Sequence, residues 1–279
     1  MRRKELVESK SMVLKTHILL LSAFFVWANL AHADTGMHWR YYGGSPQFIG
    51  GKECAIPKGE KIEVRHRKGY DIGFASRFHI SLWVAYSLVP ADVTNQVGRV
   101  GSFRRDDDLR MFVFSPQQYS GRGVDRGHLA PSQDMQYATD VSRESFWMGN
   151  IVPQSPVMNR GRWKVLESKI HRLVVPSREG FVRAHRVHVL TGPLIEKADI
   201  ERYENEMKQF KRKGRQGLAP ILKPSACWKI YKYGMNVDSY IVKMSGREER
   251  ISINEISKRT GLKFFDGALP GVRNRFYGK

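Results

Sequence analysis

Residues Gly121 to Glu167 read GRGVDRGHLAPSQDMQYATDVSRESFWMGNIVPQSPVMNRGRWKVLE. The stretch opens with Asp125-Arg126-Gly127-His128, passes through Gly149-Asn150-Ile151-Val152-Pro153-Gln154, and reaches Asn159 just before a helix-like run. Trp163, Leu166, Ile170 and Leu173 recur at three- and four-residue spacing, which predicts a helix over Asn159 to Leu173 with one apolar face. Glu167 stands eight residues after Asn159, about 80° further around such a helix, so both side chains can face the end of a strand packed against it.

The residue types fit phosphodiester chemistry. Cleaving that bond needs a water deprotonated, positive charge on the non-bridging oxygens, a neutralised leaving oxygen and in-line geometry. A neutral His suits the first task because its reference pKa, about 6.5, lies near operating pH. Mg²⁺ keeps several of its waters, so a few protein oxygens suffice to hold it. An Asn carbonyl can be one of them, and a Glu can hold waters of the ion's shell. Arg offers a fork of donors to phosphate oxygens. His128, Asn159, Glu167 and Arg126 meet this list, with Gly127 leaving room beside His128 for a substrate backbone.

Asp125-Arg126-Gly127-His128 with Leu129-Ala130-Pro131, then Asn150-Ile151-Val152-Pro153-Gln154, then Asn159 with Trp163, Leu166 and Glu167, closely resembles the DNA/RNA non-specific endonuclease family. Leu82-Trp83-Val84-Ala85-Tyr86 looks like that family's strand before the site, and Val189-Leu190-Thr191-Gly192-Pro193 like the strand after its helix. The resemblance covers roughly residues 60 to 260. It implies a ββα-metal (His-Me finger) core and hydrolysis of DNA and RNA with little sequence preference. His128 becomes the general base, Asn159 the protein ligand of one Mg²⁺ (Mn²⁺ being the alternative ion), and Glu167 the holder of metal waters. Arg126 supports the phosphate or the site, and Asn150 orients the His or the substrate. One or more of Arg99, Arg104 and Arg105 match an upstream phosphate-binding arginine. Some relatives carry a basic residue four positions after the Glu; here His171 stands there, followed by Arg172. The rival reading is a catalytically silent nucleic-acid-binding protein on the same fold, although no motif position is broken.

Outward from this stretch, the flanks read as strands. Lys61–Arg67 alternates, Tyr70–Phe74 is short and apolar, and Ile80–Val89 is a β-rich run ended by Pro90. Val187–Pro193, Ala226–Tyr233 and Ser239–Met244 follow as strands, with Ile253–Thr260 a late helix stopped by Gly261. Ser142–Phe146 reads as a short helix with Ser142 as its cap. The Gly- and Pro-rich residues 34–60 read as an irregular arm, Arg99–Arg110 as a charged loop, and Ala198–Gly217 as a charged surface insertion, solvated rather than binding. Strands, then a helix, then strands make the class α+β, mainly an antiparallel sheet with packed helices, in one domain over 34–279.

The beginning reads as an export signal. Arg2, Arg3, Lys4 and Lys15 precede the 11-residue apolar run Ile18–Ala28, and Ala31-His32-Ala33 supplies small residues for cleavage. The run is short for a bilayer span, so the reading is a periplasmic or extracellular protein without a stable membrane anchor. Removing residues 1–33 leaves 246 residues and lowers the formal charge from +20 to about +17, an excess that favours a polyanionic partner. Cys54 and Cys227 can pair in an oxidising compartment or stand as separate buried thiols; alone they cannot make a zinc site. His66, His79, His185 and His188 form no convincing ligand cluster, and Trp83 and Trp163 read as core. Asp125 reads equally as the orienter of a neighbour or as a turn cap. The sequence leaves open a homodimer and any inhibitor protein.

Overall fold

The structure is a computed structural model that describes residues 45–109 and 113–264. The expected export segment and the basic end RNRFYGK lie outside the described residues. Strands β1 (Gln47–Phe48), β2 (Ile62–His66), β3 (Asp71–Ala75) and β4 (Ile80–Leu88) come first, then the short helix α1 (Pro90–Thr94). A second group holds β5 (Asp125–His128), α2 (Thr139–Glu144), β6 (Ile151–Gln154), α3 (Pro156–Met158) and α4 (Lys164–His171). Then follow β7 (Val187–Leu194), α5 (Lys197–Arg212), β8 (Ala226–Tyr233), β9 (Asn236–Lys243), β10 (Glu248–Arg250), α6 (Ile253–Thr260) and β11 (Leu262–Lys263).

Seven strands form one sheet in the order β10-β9-β8-β7-β4-β3-β2, antiparallel at every pairing. This is the expected α+β architecture. The central neighbours β4 and β7 are hydrogen-bonded to each other, yet about a hundred residues separate them in the chain. Those residues leave the sheet, build β5, β6, α3 and α4 over it, and return. The motif-bearing stretch is therefore an excursion between two adjacent core strands. That explains why β4 is buried along all nine of its residues and reads as a continuous apolar run rather than an alternation.

A bulge sets which side of β4 meets the excursion. Gly73 pairs with Trp83 and Phe74 with Ser81, leaving Leu82 as the extra residue. The alternation shifts there, so Ser81 and Tyr86 both reach the excursion: Ser81 Oγ donates to Gly149 O (2.6 Å) and Tyr86 OH to Asp134 Oδ2 (3.1 Å). Trp83, Tyr86, Trp163, Trp228 and Tyr231 are all buried, so both sequence-read core tryptophans are core. Each such side chain contributes about 1.5–3 kcal/mol through burial.

Several local expectations change. Ser142 does not cap a helix; it lies inside α2, where its Oγ accepts from Val100 N–H (2.9 Å) and ties the 98–100 loop down. The helix expected over Asn159–Leu173 begins earlier, at α3, where Ser155 Oγ accepts the Met158 N–H. It is interrupted by a π-turn over Asn159–Trp163, with Gly161 at φ −101°, ψ −114°, and resumes as α4. The arm is tied down from residue 47 onward, because β1 pairs with β11. Cys54 and Cys227 are both free, buried thiols; no disulfide joins them. Among the described residues no helix is long and apolar enough to cross a membrane.

Candidate active site

Two short strands frame the site. β5 and β6 pair antiparallel, with Asp125 opposite Gln154, Arg126 opposite Pro153, Gly127 opposite Val152 and His128 opposite Ile151. Gly127 is required here by packing within the protein: a Cβ would come within 2.2 Å of Gln154 Cδ. The space that the sequence assigns to a substrate backbone is filled by a buried Gln154 side chain.

Asn150 is fully buried just before β6. Its Oδ1 accepts from Ala130 N–H, its Nδ2 donates to Ala130 O and Ser145 O, all at 2.9 Å, and its backbone O accepts from Leu129 N–H. Both ends of the amide are consumed by backbone. Asn150 thus fixes the chain leaving His128, so any orienting of the imidazole by it goes through the backbone.

His128 ends β5 among aromatics. Phe146 meets it edge-on at 5.0 Å between centroids and Phe103 at 5.4 Å. The Arg99 guanidinium lies over Phe146 (4.5 Å) and that of Arg126 over Phe103 (4.7 Å). Burial, reinforced by the nearby Arg99 charge, lowers the His128 pKa to about 3, so the ring is neutral at physiological pH. Its Nε2 is buried with no hydrogen-bond partner. Among the three upstream arginines, Arg99 lies beside the imidazole, whereas Arg104 bonds Asp107 (2.9 Å) and stacks on Trp147.

The interrupted helix brings the other groups. Asn159 Nδ2 donates to Asp125 Oδ2 (2.9 Å), and Arg160 clamps the same carboxylate through two bonds of 2.9 and 2.8 Å. Those bonds hold Asp125 ionised below the usual carboxylate range. Asp125 is therefore the orienter of Asn159: with the amide nitrogen tied, the carbonyl oxygen is the end left to bind a cation. Trp163 Nε1 donates to His128 O (3.3 Å), binding the helix to β5.

Glu167 lies on α4 beside Lys229 of β8, Oε1 to Nζ 3.8 Å. That is too long for a hydrogen bond, and Glu167 Oε1 has no partner. Burial pushes the Glu167 carboxyl up to about 7, against the pull of Lys229. Lys229 is itself fully buried, its Nζ 4.5 Å over the Trp163 ring and 3.4 Å from Leu129 O. His171 Nδ1 bonds Asp134 Oδ1 (2.8 Å), whose other oxygen takes the Tyr86 hydroxyl. His171 is held in a buried pair and is not free to replace the basic residue that some relatives carry there.

The donor set fits a hard divalent cation. An Asn carbonyl and a carboxylate with an unsatisfied oxygen are oxygen ligands, and His128 Nε2 and Glu167 Oε1 are both buried without a protein partner. Among the described residues no three His, Cys, Asp or Glu form a metal cage. Asn159 would hold the ion and Glu167 its waters. Phe103, Phe146, Asp134 and Lys229 were not singled out from the sequence; a Lys inside the apolar strand Ala226–Tyr233 was the one available signal.

The profile of the DNA/RNA non-specific endonuclease family matches residues 53–270. The chain belongs to that family. It is 28% identical over 199 residues to a nuclease of Nostoc sp., spanning 71% of both chains, and 28% identical over 239 residues to a nuclease of Serratia marcescens, spanning 79% of this chain and 82% of that one. A chain of the crystallised EndoG/EndoGI complex shares the fold, with a TM-score of 0.59 and 20% identity over 76% of this chain and 88% of its own. Family membership makes the protein a hydrolytic, divalent-metal-dependent nuclease.

Proposed function

We propose that the protein is an exported endonuclease that hydrolyses phosphodiester bonds of DNA and RNA with little sequence preference, using Mg²⁺ or Mn²⁺. The observation that carries this reading is the neutral His128, whose Nε2 is unpartnered, together with an Asn159 whose amide nitrogen is tied to Asp125 on the same strand, β5. Asn159 would hold the ion, which would supply positive charge to the phosphate when bound. His128 Nε2 accepts the proton of the attacking water. Arg99 and Arg126, each held over a phenylalanine beside His128, offer donors to the phosphate oxygens. Glu167 Oε1 accepts hydrogen bonds from waters in the site. None of these groups reads a base, which accounts for weak sequence preference.

The test uses plasmid DNA and RNA with Mg²⁺, with and without a chelator. His128→Ala is expected to lose about 10²–10⁴-fold in cleavage rate with nucleic-acid binding intact, and excess Mg²⁺ does not rescue it. Asn159→Ala loses cleavage with partial rescue by excess Mg²⁺. Wild-type protein that binds tightly yet cuts nothing with any divalent ion would make the fold a binding module. Export is tested by mass spectrometry of protein from the producing cell, with an N-terminus near Asp34 expected.

A further inference from the structure

The charged segment after β7 is not evenly solvated. α5 carries Asp199, Glu201, Glu204 and Glu206 in its first ten residues and Lys208, Lys211 and Arg212 at its end, with Lys213 and Arg215 in the turn beyond. Two of the four acidic residues are paired: Asp199 bonds Arg202, and Glu204 bonds Arg77. The five basic residues are all exposed, and among the described residues none forms an ion pair. The helix dipole favours cations in a last turn by about 0.3–1 kcal/mol, which accounts for Lys211 and Arg212. It does not account for Lys208, Lys213 and Arg215, and Lys208/Arg212 are like charges four residues apart on the helix, which repel.

This basic end is held in place. Arg215 N–H donates to Phe210 O (2.9 Å) and Gly214 N–H to Lys211 O (3.1 Å), closing an ordered turn. Arg122 Nη2 then donates to Leu218 O (2.8 Å) and Ala219 O (2.9 Å), and Lys223 Nζ to Arg122 O (3.0 Å). Arg122 stands three residues before Asp125, within about 10 Å along an extended chain. Across Asp125 lies the exposed Arg160, clamped to it. Exposed cations thus stand at the end of α5 and at Arg160 of the interrupted helix, with Arg122 bonding the segment that follows α5 three residues before Asp125.

We propose that Lys208, Lys211, Arg212, Lys213 and Arg215 form a polynucleotide-binding ridge, engaging backbone phosphates several nucleotides from the scissile bond. The proposal rests on the nuclease reading and deepens it: the ridge makes long chains better substrates than short ones. Its contacts are to phosphate, so it adds affinity without sequence preference.

The test neutralises Lys208, Lys211, Arg212 and Lys213 together to Gln, leaving Arg215 because its φ is +59°. A control neutralises four exposed lysines around the β1–β11 pair, Lys52, Lys58, Lys61 and Lys258, giving the same net charge. The ridge variant is expected to raise KM for plasmid-length DNA and leave kcat unchanged on an oligonucleotide that spans only the catalytic site. Its plot of log affinity against log salt, measured in chelator, becomes shallower by up to about four units; the control changes neither. An unchanged slope and KM in the ridge variant, or an equal change in the control, overturns the ridge while cleavage by the wild type leaves the nuclease standing. If the wild type cuts nothing, the nuclease reading falls, and the chelator slopes still decide the ridge.

Discussion

Arg67 and Lys229 are both buried cations facing carboxylates, and the two pairs are built differently. Arg67 reaches Asp106 at 2.6 Å and Asp108 at 2.5 Å, and its guanidinium lies 4.9 Å from the Trp147 ring centre. It staples the 106–108 turn to the end of β2. The one Asp106 oxygen left over is walled by Gly149, where an added Cβ would approach to 2.5 Å. Lys229 stands 3.8 Å from Glu167, and a carboxylate oxygen there stays unbonded. The first geometry uses its hydrogen bonds to hold a loop. The second supplies charge but leaves acceptor capacity for the site. A buried ion pair therefore says little about its purpose until its hydrogen bonds are counted.

Breaking each pair should separate the two purposes. Arg67→Met leaves Asp106 buried without its cation and is expected to cost about 3–5 kcal/mol of unfolding free energy, read by urea denaturation, with cleavage per folded molecule retained. Adding Asp106→Leu should return most of that stability. If Arg67→Met is neutral, the staple is not holding the loop.

Glu167→Gln should do the reverse. It keeps the shape and removes the charge, so stability is unchanged or slightly raised, while cleavage and Mg²⁺ affinity fall by about 10–100-fold. A calorimetric Mg²⁺ titration equal to wild type would show that Glu167 only fills space beside Lys229.

The smallest expected effect is in pH dependence without metal. Burial raises Glu167 from 4.5 to about 7 and Asp106 from 3.8 to about 6. In each case the folded state binds the proton that the unfolded state has lost, so stability falls as pH rises through those windows. His128 has the opposite sign: its pKa drops from 6.5 to about 3, so its contribution is full above 6.5 and is lost as pH falls toward 3. Glu167→Gln should flatten the loss between about pH 4.5 and 7, and His128→Gln should flatten the gain between about pH 3 and 6.5. Denaturation at pH 5 and 7.5 reads both, and identical wild-type and variant differences would contradict the burial of these groups.

Much of this was open to reading in the chain alone. β8 and α6 occupy the residues expected of them, Ala226–Tyr233 and Ile253–Thr260, because a run of β-formers and a 3.6-residue apolar repeat are local signals. The family and its chemistry were legible too, because Asp125-Arg126-Gly127-His128, Asn150 and Asn159 to Glu167 sit close together at set spacings. The α+β class followed from the order of the elements.

The tertiary structure alone decided the rest. β5 and β6 are four residues each, with no alternation to announce them, and they exist by pairing with each other 26 residues apart. Gly127 reads as room for a substrate backbone, and only the β5–β6 register shows that Gln154 fills that room. Lys229 meets Glu167 across 62 residues because β8 is two strands from β4, under α4. The basic end of α5 reads as a solvated charge run, and only the fold shows the segment just after it bonded to Arg122, three residues before Asp125. Periodicity and motif spacing are properties of neighbours along the chain. Which carboxylate a buried cation faces, which oxygen goes unbonded and which charges share a surface depend on residues far apart in sequence, and folding alone brings them together.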